Sequence, residues 1–414
     1  MKNVKRILAV IACVAMLCSV FVSCGDNTGD SANSKKPIGD MSFADVSIDF
    51  SGTLVVPNGK NQAEEESIKE YGHPGNPKTE YEVMEGERDP WLWPFSRTSV
   101  WNMPIGSNAK YEATGFVKYD ELSCDWAWLL KTNKNDEVLD IVRSSMDDRW
   151  PADISSKKKD GTTYWPRGFT ITKESPMNDC SSILQPDGRS IIELQPTCRD
   201  DASSTYVIGN PRRDIDIYSD GILGTHWGSG LSTLGGCIRL GELTGDEPIR
   251  HALKLNVWAD ELLYHDYISN GFTWPADRSD TKPTSKGTRK YMLEGALLAI
   301  PRDITPESVG ITDRIVKKLF VAAQDYGVYI VDDTVRGAYS ISADIEEYEA
   351  VKEECGINMR THISRTTDSA TLTYAEDMIK LVLALKAVTN NSAQSIGGGG
   401  TPCQPLAPNF PSLK

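Results

Sequence analysis

The chain predicts a mainly β protein: a large β-sandwich or jelly roll with helical additions at its C-terminal end. Three observations carry this expectation. Between residues 89 and 300, short runs of alternating polar and apolar side chains recur between Gly, Pro and Asn/Asp turns. Hydrophobic residues make up 39% of the chain and charged ones 25%, the balance of a globular protein with a buried core. At 414 residues the chain is long enough for one large β unit with additions.

From the N-terminus, Lys2, Lys5 and Arg6 precede an apolar run over residues 7–22, the layout of a secretory signal spanning 1–23. The run is too short for a membrane span. It ends Phe21-Val22-Ser23-Cys24, which resembles the lipobox of bacterial lipoproteins. That resemblance implies lipidation at Cys24, a polar tether over 24–40, and a location in the bacterial cell envelope, anchored at the outer membrane or cell surface. Residues 41–88 read as one or two strands followed by a polar loop, and 89–300 as the sandwich. A helix with apolar Ile315, Val316, Leu319, Phe320, Ala322 and Ala323 opens an α/β appendage over 301–389. It continues with a strand at 328–331, a helix at 346–355, and a helix at 373–388 opened by the capping-box spacing Thr373…Glu376. Residues 390–414, rich in Gly and Pro, read as a non-regular strap or a disordered end.

Net charge is −14, which gives no electrostatic drive toward phosphate backbones and argues against a nucleic-acid partner. Six cysteines follow Cys24, and Cys180 with Cys198, flanking one strand-rich segment, is the pairing expected of an exported chain. The cysteines and histidines have no zinc-finger spacing, so neither a metal nor another cofactor is expected.

The candidate chemistry lies between residues 183 and 260. In Ser190-Ile-Ile-Glu193-Leu-Gln195, Ile191, Glu193 and Gln195 share one face of a strand. Asp214, Asp216 and Tyr218 alternate in the same way with two isoleucines, and Arg239 lies between Ile238 and Leu240. Acids, amides, a phenol and a guanidinium on a sheet face are the make-up of a polar binding groove, although a solvated outer face has the same alternation. Beside them, Gly221–Gly236 holds six glycines around His226 and Trp227, a loop able to present a general base next to a sugar-stacking indole. His251 has the parity of Leu253 and Leu255 and reads as a buried structural histidine.

The string His226-Trp-Gly-Ser-Gly-Leu-Ser-Thr-Leu-Gly-Gly-Cys-Ile-Arg-Leu-Gly-Glu-Leu243, with Ser99–Gly106 and the Gly-Gly-Gly-Gly-Thr-Pro tail, resembles a family of secreted bacterial and fungal proteins. The resemblance spans most of residues 90–405 and implies secretion. In architecture the chain also resembles β-jelly-roll polysaccharide lyases and concanavalin-like glycanases. Alginate-lyase motifs differ: Arg239-Leu-Gly-Glu242-Leu243 is one residue longer than R-x-E-L, and Glu193-Leu-Gln195 stands where Q-x-H would.

The substrate class expected is a polysaccharide or oligosaccharide. A glycoside hydrolase would use a carboxylate pair drawn from Glu193, Asp214, Asp216 and Glu242, with Glu193 and Asp216 foremost. A polysaccharide lyase would use His226 or Tyr218 for proton transfer and Arg239 or Gln195 to neutralise a uronate. A non-catalytic glycan binder would use Trp227, Trp91 and Trp93 as platforms. The catalytic set expected is therefore Glu193, Asp216, Tyr218, His226 and Arg239, with Gln195, Asp214, Trp227 and Glu242 binding substrate.

Overall fold

The computed structural model describes residues 80–144, 153–175 and 177–411, together with two short N-terminal strands, β1 (Ser47–Ile48) and β2 (Leu54–Val55), which pair antiparallel. Thirteen further strands follow in chain order. They are β3 (Tyr111–Ala113), β4 (Glu121–Lys131), β5 (Glu137–Arg143), β6 (Lys159–Trp165), β7 (Cys180–Leu184), β8 (Ser190–Cys198) and β9 (Tyr206–Asp216). After these come β10 (Leu253–Val257), β11 (Leu297–Ala299), β12 (Val328–Asp333), β13 (Ala338–Asp344), β14 (Thr361–His362) and β15 (Lys386–Val388). All thirteen belong to one mixed sheet, ordered β3-β15-β11-β12-β10-β13-β4-β7-β8-β9-β5-β6, with β14 on β4. The protein is mainly β, as the alternating runs predict, and the architecture is consistent with a β-sandwich.

Strand parity explains the layering. On β10, Leu253, Leu255 and Val257 face an apolar core shared with Leu122, Cys124 and Trp126 of β4 and Tyr339 and Ile341 of β13. Helices α1 (Arg314–Asp325), α2 (Ile345–Cys355) and α3 (Ser369–Ala384) complete that core. A second core joins distant parts of the sheet: Leu184, Ile191 and Ile215 meet Leu297, Tyr329 and Val331 around the fully buried Trp101. Contacts between strands so far apart in the sheet order require the sheet to curl.

Two organisational expectations are corrected. Residues 301–389 are no appendage, because β12 and β13 flank β10 in the middle of the sheet, and β13 pairs in parallel with β4 along seven residues. The third helix begins at Ser369, not Thr373, because the Asp368 side chain accepts from Thr371 N and caps it earlier. The 390–411 segment does run as a strap, bridging back at Val83–Leu406, Glu87–Asn409 and Gly106–Pro402. The expected Cys180–Cys198 pair is also absent, both thiols being free. Register explains why: Ser181 lies opposite Leu194, so Cys198 sits four residues along β8, past the end of β7. The signal, Cys24 and the tether lie outside the described residues.

Candidate functional site

The glycine-rich loop does not overhang an open groove. It folds into the curl of the sheet, and Glu193 is what holds it there. The Glu193 carboxylate accepts from Thr225 N (3.1 Å), Thr233 N (2.9 Å), Leu234 N (3.0 Å) and Ser232 Oγ (2.9 Å). Gly224 is needed at this point, since a Cβ there would collide with the Glu193 carboxylate and the Ser232 backbone. Gly236, at φ +67°, lies flat against the Trp101 ring, whose Nε1 donates to Gly221 O (2.6 Å). Burial pushes the Glu193 carboxyl up, and the loop amides pull it back. Four donors on two buried oxygens make this side chain a structural anchor with no face left for substrate.

The other expected residues separate accordingly. Gln195, fully buried, accepts from Trp227 N (2.9 Å) and thereby fixes the loop a second time. Asp216 is not the partner of Glu193. It lies opposite Ser190, on the face away from Ile215 and the second core, and its carboxylate receives Arg189 Nε (2.8 Å) and Tyr218 N (2.9 Å). Tyr218 packs edge-on to Phe410 in the second core, too buried for proton exchange with a substrate. Asp214 is carried on β9, and its side chain lies outside the described residues.

Arg239 and His251, both buried, form a structural cluster with the part-exposed Glu242. Glu242 Oε2 accepts from Arg239 N (2.7 Å) and meets His251 Nε2 at 3.0 Å, while Arg239 Nη2 reaches Leu234 O (3.4 Å). Arg239 is 5% exposed and cannot meet a uronate. His251 is buried, as its parity predicts. Of the expected platforms, Trp93 donates to Asn102 Oδ1 (2.9 Å) and Trp91 packs on the second core, which leaves Trp227, 39% exposed, as the open indole.

His226 is the one expected catalytic residue that enters a convergent cluster, and its partners come from elsewhere in the chain. It is 2% exposed, with Nδ1 3.4 Å from Asp332 Oδ2 and Nε2 2.9 Å from Lys254 Nζ. Lys254 Nζ also donates to Thr233 O (2.7 Å) and Ser232 O (3.3 Å). Burial, and then the Lys254 charge, push the His226 imidazole down to about 3, so the ring is neutral at pH 7. Against a Lys254 ammonium, the ring proton sits on Nδ1 and points at Asp332; against the neutral amine, it sits on Nε2. One ligand atom each from Asp125, His226 and Asp332 lies within 4.8 Å of the other two. Asn256 Nδ2 donates to Asp125 Oδ2 (3.2 Å) and closes the group.

The sheet builds this cluster by simple rules. Lys254 and Asn256 alternate with the leucines of β10, and Ser123 and Asp125 alternate with Leu122 and Cys124 of β4, so all four leave the apolar core for the opposite face. Asp332 joins them through a β-bulge: Leu255 pairs with Ile330 but Asn256 pairs with Asp332, so Val331 and Asp332 turn to the same side. Burial, followed by the charge of Asp125, pushes Asp332 up to about 7.

A polar cleft of about 240 Å³ reaches Asp125 and Asn256 of this group. Ser123, Asp125, Asn178, Asn256, Ser340 and Arg360 line it. It forms beside the stretch of β4 between its pairing with β14 at 121–122 and with β7 at 127–131, where Ser123 and Asp125 line it. Its lip carries Val335, 75% exposed at φ +54°, a rare backbone state for a β-branched residue. Sequence reasoning missed Asp125, Lys254, Asn256 and Asp332. The alternation of Lys254 and Asn256 with Leu253, Leu255 and Val257 was the signal available.

No family model, curated protein or solved structure matches this chain. Among the described residues, no helix is long and apolar enough to cross a membrane.

Proposed function

We propose that the protein is an exported, lipid-anchored carbohydrate-active enzyme. Its reaction centre is the Asp125–His226–Asp332 cluster, which meets the polar cleft at Asp125, and its reaction is hydrolysis of a polysaccharide or oligosaccharide. The observation that carries this reading is the position of Asp125, which lines the cleft and also belongs to the buried carboxylate–imidazole group. Hydrolysis at a sugar centre needs two nearby carboxylates and a polar wall for hydroxyl groups; Asp125 with Asp332 behind it would be the first, and Ser123, Asn178, Asn256 and Ser340 the second. The pair expected from the sequence, Glu193 with Asp216, gives way to Asp125 with Asp332. A second reading, elimination on a uronate, is favoured by Arg360, whose guanidinium lies over the Trp126 ring (5.2 Å) at the cleft wall, where Arg239 cannot reach. Export and anchoring rest on the basic start, the apolar run and Cys24.

The test is product analysis on a panel of neutral and acidic glycans with wild type, Asp125→Asn and Asp216→Asn. Reducing ends alone mean hydrolysis; reducing ends with absorbance from an unsaturated uronate mean elimination. Asp125→Asn lowers turnover by about 10²-fold or more, the scale of a lost reacting group, and Asp216→Asn turns over as wild type. A folded Asp125→Asn protein with undiminished turnover, or a wild type inert on every glycan, refutes the reading.

A further inference from the structure

The acids around His226 far outnumber the cations among them. Asp125, Asp332 and Glu294 are each at most 6% exposed, Asp280 is half-buried beside Asp332, and among the described residues the one buried lysine against them is Lys254. Glu294, fully buried, has neither carboxylate oxygen hydrogen-bonded among the described residues, and its electrostatic neighbours are Asp332, Asp280 and Asp333. Buried carboxylates in such numbers either hold protons or share a cation.

The geometry at the centre favours a cation. Asn256 is 4% exposed, its amide nitrogen is spent on Asp125, and its Oδ1 has no partner among the described residues. The residue stands between the two acids, as the register partner of Asp332 on β12 and the hydrogen-bond partner of Asp125 on β4. A carbonyl oxygen buried without a donor is a costly feature unless something positive meets it.

We propose that Asp125, His226 and Asp332, with the Asn256 amide oxygen as a fourth donor, form a site for one divalent transition-metal ion. His226 Nδ1 and Asp332 Oδ2, 3.4 Å apart, stand at the separation of two ligands on bonds of about 2.0–2.2 Å, and an Asp125 oxygen lies within 4.8 Å of both. The donor set is oxygen-rich with one imidazole, which suits Zn²⁺ or Mn²⁺ and disfavours soft, thiolate-seeking ions. Lys254 is the positioning residue: placed against Nε2, it leaves Nδ1 as the nitrogen facing the carboxylates. Its contacts to Ser232 O (3.3 Å) and Thr233 O (2.7 Å) hold it in that place. Because Asp125 also lines the cleft, an open position on the ion faces the cleft, where a bound water has its pKa lowered. This deepens the reading of the cluster as a reaction centre and rests on it for any effect on turnover, but binding is measurable without substrate.

The experiment uses the purified full chain, stripped with chelator and titrated with ZnCl₂ or MnCl₂ alone by calorimetry. Wild type and Asp216→Asn bind one equivalent and gain melting temperature on binding. Asp125→Asn and Asp332→Asn lose affinity by more than about 100-fold, beyond the loss typical of residues that only orient a ligand. A measurement on wild type needs no variant to fold: Mn²⁺ bound at this site shows imidazole nitrogen coupling in pulsed electron paramagnetic resonance. Absence of saturable binding, binding unchanged in both aspartate variants, or bound Mn²⁺ without nitrogen coupling overturns the proposal. Saturable binding lost in both variants, in a protein that turns over no glycan, upholds the metal site and removes the glycan reading.

Discussion

Replacing Glu193 by Gln separates an anchor from a catalyst, because the two roles predict opposite outcomes. The carboxylate receives two donors on each oxygen: Thr225 N and Thr233 N on one, Leu234 N and Ser232 Oγ on the other. A glutamine keeps one acceptor oxygen. If it faces Thr225 and Thr233, the amide nitrogen meets Ser232 Oγ, which can rotate to accept, and Leu234 N–H, which cannot. One buried N–H is then orphaned at about 1–3 kcal/mol, and two surviving bonds lose charge assistance worth about 1 kcal/mol each. Relief from burying a charge offsets part of this, leaving a net loss of about 2–4 kcal/mol. Denaturant titration reads that loss as a lower midpoint at unchanged slope, and limited proteolysis within residues 221–236 reports the loosened loop. A Glu193→Gln protein as stable as wild type, but with turnover down about 10²-fold, refutes the anchor and restores Glu193 as a reacting group.

Two other outcomes follow from single residues. Cys24→Ser moves the protein from the membrane fraction to the soluble fraction, and unchanged membrane retention counts against lipidation there. Asp344, which caps α2 through Glu346 N (3.2 Å), is pushed up to about 7 by burial from an ordinary 3.8. The folded state therefore holds this proton more tightly than the unfolded state, and stability falls as pH rises from about 4 to 7, by at most about 4 kcal/mol. Asp344→Asn keeps a good cap and removes the titration, so its melting temperature declines less than that of wild type between pH 5 and pH 8; parallel declines refute the assignment.

Much of the fold is legible because local pattern and tertiary environment agree. The apolar positions Ile315, Val316, Leu319, Phe320, Ala322 and Ala323 are all buried on α1, as their helical spacing predicts. The period-2 run at 190–195 lies within β8, whereas the run at 214–218 meets only the last three residues of β9, which begins at Tyr206. Pattern is blind to sheet order, however. Nothing local to residues 328–344 says that β12 and β13 insert beside β10 and β4, a result of long-range pairing that makes 301–389 part of the core.

The site is where parity alone misleads. Ile191, Glu193 and Gln195 do share a face, but that face is turned into the curl, where a polar strand face lies buried under a polar loop instead of under water or substrate. Glu193 was visible as an unusual residue for a sheet, and its role was not, because its partners are backbone amides some 30 to 40 residues further on. The reverse holds for Asp125 and Asp332. Each sits in a run that looks like ordinary core strand, and the two are brought to His226 by parallel pairing on one side and a β-bulge on the other. With ligand candidates more than a hundred residues apart in sequence order, no spacing motif exists to find. The bulge is the decisive element: an unbulged β12 would turn Asp332 to the opposite face, toward the apolar core that receives Val328 and Ile330, and the cluster would lose its second carboxylate.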